Sequence, residues 1–261
     1  MSPWLALYVK EVKENRLGLG LLAGATACVV VYGLAHAVSG GALDFPPVWV
    51  GAMSLPYLSV LVLPFLLTHS VSREFDAQTH HQLLALPVPR AALMLAKVAA
   101  IFSGGVVICL LTTAAIRVAS LVRDNAQMDL ARYEWHLPAG SGYAAGTVDA
   151  TVAGGYLAVL LLLLGMATLL AGLRLVVGRA HGLTAIVVFA LSLYGYAKIL
   201  GLALPTAAEL ATGIAGWPTG PGIRSFPGFG SFVAVCLVST ACTGLLYIAM
   251  GTWLFHRFAR A

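Results

Sequence analysis

Val71 to Arg90 reads VSREFDAQTHHQLLALPVPR, and the nature of this stretch decides what the rest of the chain can be. It is polar and lies between two long apolar runs, Val48 to Thr68 and Ala91 to Ala119. A plain linker would be rich in turn residues, whereas this segment has the pattern of a short helix over residues 72–86. Ser72 is placed as an N-cap, with Glu74 and Asp76 in the first turn, where the helix dipole favours negative charge. Pro87 and Pro89 end the helix and force an extended exit. At about 100° per residue, Phe75, Thr79, Leu83 and Leu86 share one stripe. Arg73, Asp76, His80 and Leu84 share the opposite one, so Leu84 stands among polar neighbours as an apolar knob for a partner.

The flanking runs settle the class. The 261 residues are 60% hydrophobic and 10% charged, with a mean hydropathy of +0.91. Soluble domains are about 45–50% apolar and about 25% charged, so this is an integral membrane protein with little chain left for a soluble domain. Runs of about 20 apolar residues suffice to span a bilayer. Six are expected, at roughly 18–38, 48–69, 91–119, 151–173, 183–204 and 230–254. The runs are continuous rather than alternating, which means helices and not barrel strands. The fold expected is an all-α single transmembrane domain over residues 1–261.

The net charge of +5 is distributed as membrane topology requires, not as a nucleic-acid surface. Lys10, Lys13, Arg16, Arg73, Arg90, Lys97, Arg174, Arg179, Arg257 and Arg260 fall on one side, and Arg123, Arg132 and Arg224 on the other. Ten against three places both termini in the cytoplasm of a multi-pass inner-membrane protein. Residues 4–16 are amphipathic, with Trp4, Leu5, Tyr8, Val9 and Val12 on one side and Lys10, Lys13 and Glu14 on the other. This is the composition of a helix lying in the membrane interface. Pro56 and Pro64 fall inside the second run, where each removes a backbone donor and bends the helix, as a gate hinge in a transporter or as a tolerated kink in a static bundle. Lys198 is an intramembrane charge near an outer helix end, placed either to snorkel outward or to meet a cargo. Thr206 and Glu209 have capping-box spacing, and the Gly- and Pro-rich return after them reads as a re-entrant element before the last span.

Chemistry of its own is not expected. No GxxxxGK[ST] phosphate loop and no HExxH occurs, so the chain is neither an ATPase nor a zinc protease of that type. The serines of Ser39-Gly40-Gly41 and Ser103-Gly104-Gly105 have no histidine in a later span to act as base. Cys28, Cys109, Cys236 and Cys242 lie in apolar runs without CxxC spacing, so neither a disulfide framework nor a metal site is expected.

The central stretch resembles the loop between the second and third spans of ABC-2 type transporter permeases. The resemblance rests on Ser72 and Glu74, then Thr79, then Leu83, Leu84 and Leu86, then Pro87 and Arg90, with Lys97 beyond. Gln78 replaces a usual glycine, and His81 a frequent glutamate. The N-terminal LYVKEVKENR is similar to the family's elbow helix. The resemblance implies that residues 71–90 form a coupling helix seated on a separate cytoplasmic ABC ATPase, which would carry the ATP and Mg. The ATPase-contacting residues would be Arg73, Glu74, Asp76, Thr79, His80, His81 and Leu84, with Arg179 on a second, smaller loop. A second permease subunit would complete the assembly, and the direction implied is export. The alternative is a membrane scaffold that binds a cytoplasmic partner through the same loop without moving cargo.

Overall fold

The computed structural model describes residues 3–39, 55–76, 89–122, 145–177, 187–201 and 229–258. All secondary structure in these segments is helical. Helix α1 spans Pro3–Glu14, α2 Arg16–Ser39, α3 Ser59–Asp76 and α4 Arg90–Val122. Helix α5 spans Ala145–Val177, α6 Val187–Gly201 and α7 Phe229–Phe258. Five of them, α2, α3, α4, α5 and α7, are long and apolar enough to cross a membrane. Helix α6 is apolar but shorter within the described residues.

A single asparagine separates α1 from α2. The backbone N–H of Asn15 and its side-chain Nδ2 both donate to the Glu11 carbonyl, each at 3.0 Å. A side chain that competes for the i−4 carbonyl disturbs the regular ladder, and the helix resets at Arg16.

The centre of the bundle is the junction of α3, α4 and α5, where Leu63, Leu67, Ile101, Leu160 and Leu164 are fully enclosed. Helix α2 lies outside this core and is largely exposed, as suits a helix whose apolar surface faces lipid tails as apolar as itself. On the far side α5 and α7 make the most intimate pair. A Cβ on Gly165 would strike the Gly244 carbonyl, and one on Gly172 would lie 2.6 Å from the Gly251 carbonyl. Glycine is the residue that permits such backbone contact. The two contacts advance together along both helices, so α5 and α7 run parallel. Helix α6 runs opposite to α7: Tyr247 donates to the Ser192 carbonyl at 2.7 Å, while Tyr196 meets Thr240 at 3.1 Å. Near the other end of the core, Tyr156 bonds Ser59 and Tyr57 bonds Thr113, both at 2.8 Å.

Two expectations change at the second span. Helix α3 runs unbroken through Ser72 to Asp76, so Ser72 is no N-cap, and Glu74 and Asp76 lie in the last turn rather than the first. The apolar run of the span continues straight into the polar stretch, because Val71 is buried against Met94 and Ala171 and holds the extra turns down. Pro56 sits in a 3-10 turn, Leu55–Leu58, ahead of α3. Its missing N–H costs little there, so of the two prolines only Pro64 is inside an α-helix. Residues 77–88, the outer loop after α4, the turn carrying Arg179 and the proposed re-entrant element lie outside the described residues.

Candidate functional site

At the end of the bundle where α2 and α4 begin and α3, α5 and α7 finish, the interior contains charge. Lys97 is two turns into α4 and almost completely buried. Its ammonium donates to Glu74 Oε1 at 2.7 Å, Glu11 Oε2 at 2.8 Å and Ser70 Oγ at 3.0 Å. An ammonium has three N–H donors, and all three are used. The Ser70 hydroxyl passes its own proton toward Glu11 Oε2 at 3.5 Å. Lys10 closes the cluster from the surface, at 3.4 Å from Glu74, 3.5 Å from Glu11 and 3.2 Å from Glu14. Burial alone would pull the Lys10 ammonium down, but together Glu11, Glu74 and Glu14 outweigh it and leave its pKa above the ordinary value.

Three elements contribute. Helix α1 presents Leu7 and Glu11, one turn apart and both buried, with Leu7 packed on Leu93 and Ala96 of α4. Tyr8 reaches Ser103 of α4 at 2.8 Å. Helix α3 supplies Ser70 and Glu74 from its final turns, and α4 supplies Lys97. Lys10 and Lys97 balance Glu11 and Glu74 in charge, which offsets the cost of enclosing Lys97, Glu11 and Glu74 while Lys10 stays at the surface. The carboxylate oxygens of Glu11, Glu14 and Glu74 lie within 4.8 Å of one another, and the positive charge among them comes from the two lysines.

Of the residues expected at the site, Glu74 is enclosed here and held by its own chain. Arg73 lies beside it on the surface, facing α1. Asp76 closes α3. Thr79, His80, His81, Leu84 and Arg179 lie outside the described residues. Lys198 is far from this cluster, exposed on α6 with its ammonium 5.4 Å above the Tyr194 ring. The four cysteines are free. Glu11 is not among the residues that the sequence points to, and Lys97 is marked there as a flanking positive charge and as part of the family resemblance, without a role at the site. The signal for Glu11 was present: Leu7, Glu11 and Asn15 follow one another at i, i+4 and i+8 on a single line, and that line is the buried one.

The model of the ABC-2 family transporter protein matches residues 13–147, just over half of the 261-residue chain. The chain belongs to the ABC-2 transporter family. The match runs from the end of α1 through α2, α3 and α4, and so includes Glu74, Lys97 and the stretch between them. No curated relative and no solved structure matches the chain. The permease is therefore a multi-pass membrane transport component of an ABC transporter, and its charge cluster brackets residues 77–88, with Glu74 on α3 before them and Lys97 on α4 after them.

Proposed function

We propose that this permease is the membrane-spanning subunit of an ATP-driven exporter, energised by a separate ATPase that docks on residues 71–90. The observation that carries the reading is the enclosed cluster in which Lys97, just after that stretch, is held by Glu74 within it and by Glu11 of α1. A loop that receives force needs a stiff attachment to the spans, and a saturated ion cluster joining α1, α3 and α4 is one. Thr79, His80, His81 and Leu84 are the proposed contacts with the ATPase, with Arg73 and Asp76 at the margin and Arg179 on the second loop. Glu74 acts from inside, positioning the loop.

Helix α1 serves as an interfacial elbow, with Trp4 and Leu5 exposed toward headgroups and Leu7 and Glu11 turned inward. Helix α6, antiparallel to α7, is the fifth of six crossings. An odd number of returns is required between α5 and α7, because those two run the same way. With the basic end inside, both termini are cytoplasmic. A second permease subunit completes the pathway, ATP and Mg are held by the partner ATPases, and Pro64 offers a bend in the span that the loop would move.

The test is Leu84→Ala alone, because a change at Glu74 would disturb the interior as well. Truncating an apolar anchor in an interface costs about 2 kcal/mol or more, which is over about tenfold in affinity. The variant should lose co-purification of the ATPase and uncouple ATP turnover from transport in lipid, with the helices intact. Full retention of association and coupled turnover would leave the loop a linker and move the scaffold reading ahead.

A further inference from the structure

Beside the enclosed cluster, on its outer side, lies an open cleft of about 700 Å³ between α1, the start of α2 and the last turn of α3. Lys10, Lys13, Arg16 and Arg73 line it, with Val9 and Leu17 as its apolar walls. One carboxylate, Glu14, also lines it and is bound to Lys10 at 3.2 Å. Lys13, Arg16 and Arg73 are not paired with any carboxylate among the described residues. Three cations thus converge on a concavity whose volume is in the usual range for a small-molecule site.

We propose that this cleft binds one anionic phospholipid, its phosphate among Lys13, Arg16 and Arg73 and its acyl chains along α2. The position of the cleft selects this occupant. Arg16 opens the first apolar span, so the cations stand at headgroup level. Immediately beyond them Leu17 and Leu21, one turn apart on one face of α2, are 77% and 74% exposed. Gly20 and Gly24 on the same helix have nothing within 4 Å of where a Cβ would be. The cationic cleft therefore continues into an open apolar track inside the bilayer, which a soluble acidic protein does not reach but a lipid tail does. Basic pockets between spans are recognised headgroup sites, and each cation near the surface contributes measurably to such binding. This inference does not depend on the ATPase docking site or the direction of transport.

The experiment is native mass spectrometry of the purified permease titrated with phosphatidylglycerol or phosphatidylcholine. Lys13→Gln/Arg16→Gln is compared with Arg90→Gln/Arg257→Gln, which removes equal charge at the same end but away from the cleft. Lys13 and Arg16 are exposed, so the first variant should keep its helix content by circular dichroism. Wild type should take up one tightly held phosphatidylglycerol in preference to phosphatidylcholine. Loss of two cations should weaken that binding about thirty-fold, and the control pair should leave it within about twofold. Equal weakening in both variants would reduce the site to a diffuse field and overturn the proposal, as would the absence of a headgroup preference. Displacement of the lipid by inorganic phosphate would show an anion site without a tail track. Displacement by polyglutamate at similar concentration would instead assign the cleft to an acidic protein surface.

Discussion

Replacing Lys97 with methionine should be among the most damaging single changes in the permease. Methionine keeps most of the length of the stem and removes only the ammonium, so the volume filled by the stem changes little. What changes is charge. Glu11, whose side chain is 4% exposed, and Glu74, at 15%, lose a partner at 2.8 and 2.7 Å. At those separations, with an effective dielectric constant near 20, each attraction is about 6 kcal/mol, set against several kcal/mol per ion for leaving water. The net loss on removing one member of such a buried pair is about 3–5 kcal/mol. Here it should fall toward the upper figure, because two carboxylates are stranded and Lys10, 36% exposed, compensates only in part. Unfolding in mixed micelles would measure this, with amide hydrogen exchange over residues 3–14 reporting whether α1 loosens first. Glu11→Gln in the Lys97→Met background should cost much less than Glu11→Gln alone, with a coupling energy of about 1–3 kcal/mol. Additivity within about 0.5 kcal/mol, or a Lys97→Met loss below about 1 kcal/mol, would mean that the cluster is not the attachment described.

Other substitutions test separate parts of the structure. Gly244→Ala and Gly251→Ala would each place a Cβ 2.5 Å from backbone of α5 and should cost about 1–3 kcal/mol, whereas Gly20→Ala and Gly24→Ala should be neutral or stabilising in the same unfolding assay. Lys198→Leu should leave transport largely intact and cost no more than the about 0.5–1 kcal/mol of an exposed cation–π contact; loss of transport in a folded variant would make Lys198 a cargo or gating residue. The Lys10 ammonium has a raised pKa in the folded chain, so its contribution is complete below about pH 10.4 and is lost as pH rises through the folded value. The stability difference between wild type and Lys10→Met should therefore stay constant from pH 7 to about 10 and close above that, read as melting temperature in detergent; a difference that closes below pH 9 would contradict the assignment. Single cysteines in the 120–150 and 205–229 loops should react with impermeant reagent in intact cells, and those at 71–90 should not.

Much of this architecture was legible in the chain because a bilayer imposes a simple rule, that backbone donors and acceptors must be paired within a continuous apolar helix. The spans at Arg16–Ser39, Arg90–Val122 and Phe229–Phe258 lie close to the apolar runs that announce them. The helix ends were less legible. Apolar content marks where hydrocarbon stops, not where hydrogen bonding stops, and α5 runs from Ala145 to Val177, past its apolar run at both ends. At Ser72 local preference and tertiary packing point in opposite directions: a serine followed by two acids resembles a helix start, but Val71 docked on Met94 carries the helix through. The charge cluster was legible only in pieces. Glu74 and Lys97 stood out through resemblance, while Glu11 belongs to neither the apolar nor the polar set of α1 that the sequence pattern picks out, because a carboxylate is normally a surface group. Only the fold shows that its line of α1 packs onto the one stretch of α4 that carries a lysine.

The position of Glu74 bears on how force would pass through this end of the permease. It lies in the last turn of α3, where the helix dipole is negative and a carboxylate is disfavoured by about 0.3–1 kcal/mol. An apolar residue there would avoid that cost and would still pack. What it would not do is resist sliding, because apolar contact is non-directional, and helices held only by methyl groups can shift past one another at small cost. An ammonium with all three donors committed fixes distance and direction to α1 and α3 at once. On the proposed reading, a push delivered to the loop beyond Asp76 cannot bend α3 alone. It must carry α1 and α4 with it or break the cluster, at a cost comparable to about 3–5 kcal/mol. Helix α4 is packed into the core through Ile101 against α3 and α5, and α5 is locked to α7 backbone against backbone at Gly165 and Gly172. On that reading a displacement of the loop would be communicated as movement of the whole bundle, with Pro64, about one turn and a half before Ser70, as the place in α3 where the span above would yield.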